Sequence, residues 1–131
     1  MKPFLETLTR PAFALTTVAS YRRAATAPDL RLRPRLQLIR RTAAAFCGVS
    51  AAELRDPRTA HAKWVRQACM SLQRELTRGS TPEIGRFWGL DHTSVLHACR
   101  IIADAAQTHP QVARDLATLR TRCQTRLEQM E

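Results

Sequence analysis

Residues 80–100 read STPEIGRFWGLDHTSVLHACR, and the reading of this stretch decides the fold. Thr81 is a hydroxyl placed to cap a helix whose first residue is Pro82, because proline has no backbone N–H to lose there and its φ is already helical. Ile84 and Phe87 face inward from that helix until Gly89 ends it. Asp91 then suits the cap of a second helix, in which Val95, Leu96, Cys99, Ile102 and Ala106 form a buried stripe. Two helices, over 82–88 and 91–107, joined by the tight Gly89-Leu90 turn, have the spacing of a helix-turn-helix. An ordinary helix pair in a bundle has the same spacing, so geometry alone leaves both readings open.

Working outward, a longer helix from about His61 to Arg78 precedes this unit, with Val65, Ala68, Cys69, Leu72 and Leu76 on one face and Gly79 as its stop. Before it, Ser50-Ala-Ala-Glu53 is a capping box that starts a short helix stopped by Pro57. A first core helix opens at Pro34, carries Leu36, Ile39, Ala43, Phe46 and Cys47 inward, and closes at Gly48. A last helix opens at Pro110 with an apolar stripe of Val112, Leu116, Leu119, Cys123, Leu127 and Met130. That stripe is core in one reading and a dimer seam in the other. The expected fold is therefore all-α, a compact bundle of about six helices over 34–131, with residues 1–33 as an N-terminal arm ending in the basic RLRPR linker.

The composition narrows the function. A chain of 131 residues with 44% hydrophobic content can bury a modest core without disulfides. The net charge is +10, and of 21 basic side chains only Lys2 and Lys63 are lysine, which points to a polyanionic partner. No apolar run reaches the ~20 residues of a membrane span. The apolar stretch from Ala12 to Ala19 follows Glu6 and Pro11, so it reads as an amphipathic segment rather than a signal peptide. Cys47, Cys69, Cys99 and Cys123 form no C-x-x-C pair and fall at apolar helical positions, so they read as reduced core cysteines of a cytoplasmic protein. His92 and His97 are five apart, off any shared helical face, and no histidine has a serine or cysteine placed as nucleophile. The expectation is a non-enzyme with no metal and no cofactor.

The segment Pro82-Glu83-Ile84-Gly85, then Phe87-Trp88-Gly89, then Asp91-His92-Thr93-Ser94-Val95-Leu96-His97-Ala98 resembles the C-terminal DNA-binding domain of DnaA, the bacterial replication initiator. The likeness extends through Arg66-Gln67 and Glu75-Leu76-Thr77, and covers roughly residues 35–122. The resemblance implies a six-helix domain that reads a short box in double-stranded DNA. It makes Asp91, His92, Thr93 and Ser94 the base readers in the major groove and Arg58 the minor-groove arginine, with Lys63, Arg66 and the backbone at Thr81 and Glu83 on phosphates. The chemistry suits those roles independently: a carboxylate accepts from a cytosine amino group, imidazole and hydroxyls meet base edges, and a methyl meets thymine. Arginine favours the concentrated negative potential of a narrow minor groove. Asp91 is equally suited to capping its own helix, and the two roles compete.

Departures from the family pattern bear on how the box is read. The turn has only Gly89 and Leu90 where the family usually has two glycines and a basic residue. Ser94 replaces the usual threonine, removing a methyl worth about 0.8 kcal/mol when buried against thymine. Ala60 and Trp64 stand where arginines are common. Residues 82–107 carry a net charge of −1, whereas 55–78 carry +4 and 22–41 carry +6, so phosphate affinity is expected from the arm and loop rather than the reading unit. Nothing resembles the G-x-x-x-x-G-K-[ST] phosphate loop of the initiator's ATPase. The expected role is thus a stand-alone DnaA-like module, nucleoid-associated, regulating replication initiation or transcription alongside replication or transcription proteins. The alternative is a DnaA-like module that has lost base reading and binds proteins, including a second copy through its last helix.

Overall fold

A computed structural model describes residues 31–130. Most of the arm expected over 1–33 lies outside the described residues. Six helices follow in order: α1 (Leu32–Cys47), α2 (Ala51–Arg55), α3 (Ala60–Leu76), α4 (Thr81–Trp88), α5 (His92–Thr108) and α6 (Pro110–Gln129). No strand occurs among the described residues. The expected all-α bundle is the observed architecture.

Local chemistry sets the boundaries. Gly48 and Gly89 both adopt the left-handed conformation, at φ 70° and 71°, closing α1 and α4 where a side chain would be strained. Ser50 caps α2 through the full box with Glu53. Thr59 caps α3 by accepting from the Ala62 N–H at 3.0 Å.

Three boundaries differ from those expected. Helix α4 is capped by Ser80 rather than Thr81: Ser80 and Glu83 form a second reciprocal capping box, which makes Thr81 the first helical residue and Pro82 the second. Helix α1 starts at Leu32, so Pro34 sits in its first turn, where the missing N–H would have had no partner. Leu32 is buried, so the folded unit begins inside the segment read as arm. Gly79 does not stop α3 through a left-handed turn. The helix ends at Leu76, Thr77 Oγ1 donates to the Gln73 carbonyl and accepts from the Gly79 N–H, and a Cβ at Gly79 would stand 3.0 Å from Leu32 Cδ1.

The main core gathers Leu36, Ile39, Leu54, Val65, Cys69, Leu72, Ile84, Val95 and Leu119 from every helix of the bundle. A satellite of Ala68, Ile102, Ala106, Ala113 and Leu116 joins α3, α5 and α6. Most of the apolar stripe of α6 packs here: Leu116, Leu119 and Cys123 are buried and Leu127 packs on the core, and among the described residues Met130 alone is an exposed large apolar side chain. Burial pushes the Cys69 thiol well up and those of Cys99 and Cys123 to about 11, so all three are protonated packing groups at neutral pH. Helix α5 packs most extensively on α3 and next on α4, and through these two helices the core fixes its direction.

Candidate nucleic-acid interface

The hinge of the site is the approach of α4 to the start of α5. The Leu90 N–H donates to the Gly85 carbonyl at 2.8 Å, folding the turn back onto α4. A Cβ on Gly85 would lie 2.6 Å from the Leu90 carbonyl oxygen, so only glycine allows this closeness.

Asp91, His92, Thr93 and Ser94 are all exposed at the start of α5. Asp91 occupies the N-cap position, where its carboxylate faces the backbone N–H groups of His92 and Thr93 without completing a cap hydrogen bond. It turns to its neighbours: Thr93 Oγ1 donates to Oδ2 at 3.0 Å, and His92 Nδ1 lies 2.8 Å from Oδ1. The Thr93 hydroxyl holds the Asp91 carboxyl below its ordinary value. In the tautomer of His92 that carries its proton on Nδ1, facing that carboxylate, Nε2 is an acceptor. In the free chain the Asp91, His92 and Thr93 side chains are tied to each other, and the Ser94 N–H donates to the Asp91 carbonyl at 3.0 Å.

The remaining expected contacts are placed unequally. Arg58 extends from the α2–α3 loop with its side chain 86% exposed and paired with Asp56 at 3.3 Å. A surface pair of that kind is worth roughly 0–1 kcal/mol, so the guanidinium is released at little cost. Lys63 is exposed on the first turn of α3. Arg66 is half-buried: its Nη1 lies 3.5 Å from the Arg55 carbonyl, and burial lowers its proton affinity. Thr81 is buried, and the Glu83 N–H is already donated to Ser80 Oγ at 3.3 Å, so a phosphate there would share donors with the cap.

Two residues escaped the reading of the sequence. His97 and Arg100 are exposed and follow Thr93 by four and seven positions, which puts all three on one face of α5. The interval of four was legible in DHTSVLHACR once the helix start was known. Trp64, where the family commonly has arginine, is half-buried in a cleft of about 400 Å³ with Phe46, His61 and Val112, so that position serves packing.

A short helix, a left-handed glycine turn and a longer helix with an exposed polar start, braced by α3, define a helix-turn-helix domain. Comparison with known families identifies which: residues 36–102 match the bacterial dnaA protein helix-turn-helix, just over half of the chain, and the chain belongs to that family. It is 51% identical over 55 residues to the chromosomal replication initiator protein DnaA of Laribacter hongkongensis, covering 41% of this chain and 11% of that protein. It is 41% identical over 86 residues to the protein of the same name from Methylobacillus flagellatus, covering 64% of this chain and 18% of the relative. The chain therefore spans less than a fifth of the length of either relative.

Proposed function

We propose that this chain binds double-stranded DNA sequence-specifically at a box like those of the initiator, with the first turn of α5 in the major groove. The observation that carries the reading is the exposed Asp91–His92–Thr93 side-chain network at the start of α5, in which Asp91 completes no cap hydrogen bond. In this reading Asp91 accepts from a cytosine amino group, His92 Nε2 and the Ser94 hydroxyl meet base edges, and the Thr93 methyl meets thymine. Arg58 enters the adjacent minor groove, while Lys63, Arg66 and the backbone at Thr81 and Glu83 meet phosphates. The role is that of a binding protein and not a catalyst. It occupies its sites on the bacterial chromosome in the cytoplasm, and by doing so regulates replication initiation or transcription.

Fluorescence anisotropy with a box duplex and a scrambled duplex, across a salt series, tests this. The box is expected to bind at least about tenfold more tightly, with the gap persisting at high salt because base contacts release few counterions. Replacing His92 and Thr93 by alanine should remove the gap. Equal binding of both duplexes by the unmodified chain would refute the proposal and favour the protein-binding alternative.

A further inference from the structure

Helices α1 and α2 carry arginines that neither the reading helix nor the α2–α3 loop accounts for. Arg33 and Arg40 are seven residues apart on α1, hence on one face. Their guanidinium carbons lie 5.6 and 4.5 Å from the centroid of the Phe87 ring, and Arg40 lies 5.6 Å from that of Trp88. Stacking of this kind engages the flat face of a guanidinium and leaves its N–H edge for other partners. Arg41 and Arg55 are exposed beside them. Burial lowers the proton affinity of Arg40 most and Cys69 opposes it, while the fields of Arg55, Arg33 and Arg41 all lower it further. Like charges gathered together repel, and a polyanion relieves that repulsion.

The placement of the ribbon is as informative as its charge. It begins at Phe87, four residues before Asp91, and ends at Arg55, three residues before Arg58. The Arg66 bond to the Arg55 carbonyl ties that end to α3. The ribbon is thus joined through short stretches of chain to both the start of α5 and the α2–α3 loop.

We propose that Arg33, Arg40, Arg41 and Arg55 form a second phosphate-binding surface, which takes the backbone of the duplex flanking the box. The proposal rests on the function proposed above for the box itself. Guanidinium forks match phosphate geometry but read no base, so the surface adds affinity and salt dependence without adding sequence preference. It also places electrostatic attraction on α1 and α2, where the reading unit has none of its own.

The test compares the unmodified chain with an Arg41→Gln, Arg55→Gln double variant, both positions being exposed and outside the stacked pair, with folding checked by a thermal melt. Each is titrated against a duplex that just covers the box and one extended by a helical turn on each side, over a salt series. On the extended duplex the variant's salt slope should be shallower by about 1.8, at roughly 0.9 per lost phosphate contact, or about twelvefold over a fourfold salt range. On the short duplex the two slopes should coincide. Equal slopes on the extended duplex, or the same loss at both lengths, would overturn the proposal. An extended scrambled duplex separates the two readings. If the length and arginine dependence appears there while box preference is absent, the ribbon stands and base reading falls. If box preference holds and the double variant changes nothing, base reading stands and the ribbon falls.

Discussion

Trp88 Nε1 donates to Gln73 Oε1 at 2.7 Å, and the same Gln73 amide donates from Nε2 to the Leu36 carbonyl at 2.9 Å. One fully buried side chain thereby joins α1, α3 and α4 and sets the height at which the helix-turn-helix rides on its support. Gln73→Leu removes the acceptor and strands the indole N–H in the core, at an expected cost of about 1–3 kcal/mol. Trp88→Phe strands Gln73 Oε1 instead. The double replacement leaves neither group orphaned and should be less destabilised than the sum of the singles, which a urea-unfolding double-mutant cycle measures directly. Strict additivity would mean that the bond carries no coupling.

How much of this was legible in the sequence varies with the range of the interaction. Caps such as Ser50–Glu53 and the glycines 48 and 89 could be read because donor, acceptor and backbone freedom lie within a few residues. Ser80-Thr-Pro-Glu83 carried the same capping signal one residue ahead of Thr81, and two adjacent hydroxyls hid which of them takes the cap. Contacts made across the fold left no local trace. The packing of Leu32 on Gly79 spans the chain from α1 to the α3–α4 connection, and the sequence offers only a glycine after a helix. Within the site, the residue types at 91–94 were legible because their helix start was, whereas their mutual bonding was not. Positions one and two apart allow both a cap and a side-chain network, and only the rotamers choose between them.

Gly85 lets α4 approach the backbone that launches α5. Gly85→Ala must push the Leu90 carbonyl away or tilt α4, with an expected loss of about 1–3 kcal/mol as overpacking. Because the displaced backbone leads directly into Asp91, box preference should fall more than scrambled-duplex binding. An alanine variant with unchanged stability and unchanged preference would show that the turn is not held by this contact.

Glu75 and Arg120 join α3 to α6, with Nε of the arginine 2.5 Å from a carboxylate oxygen and both side chains about four-fifths buried. Burial raises the Glu75 carboxyl even though Arg120 pulls the other way. For a carboxyl raised on folding, the native state binds more protons, so its contribution becomes more favourable as pH falls through the folded value. Arg120→Met removes the opposing charge and should push the carboxyl further up, at a cost on the order of 3 kcal/mol near neutrality. The variant should then gain stability on going from about pH 7 to about pH 5, relative to the same change in an Arg120→Met, Glu75→Gln double variant. Parallel pH profiles for the two variants would show that Glu75 is not the titrating group.

Thr93 offers two chemistries at the start of α5, and in the proposed reading its bond to Asp91 divides them. With the hydroxyl committed to Asp91 Oδ2, the methyl is the group left for a thymine. Thr93→Val keeps the methyl and deletes the hydroxyl. It should raise the Asp91 titration midpoint, read by carbon-detected NMR, because the hydroxyl is the largest cause of its lowering, while most of the box preference survives. Thr93→Ser keeps the hydroxyl and deletes the methyl, at an expected cost of about 0.8 kcal/mol, or roughly fourfold in box affinity. The reverse pattern, with valine losing the preference and serine retaining it, would show that the hydroxyl leaves Asp91 on binding and reads a base itself. That outcome would make the network at the start of α5 a resting arrangement that DNA must open, and would move the thymine contact to another side chain of the turn.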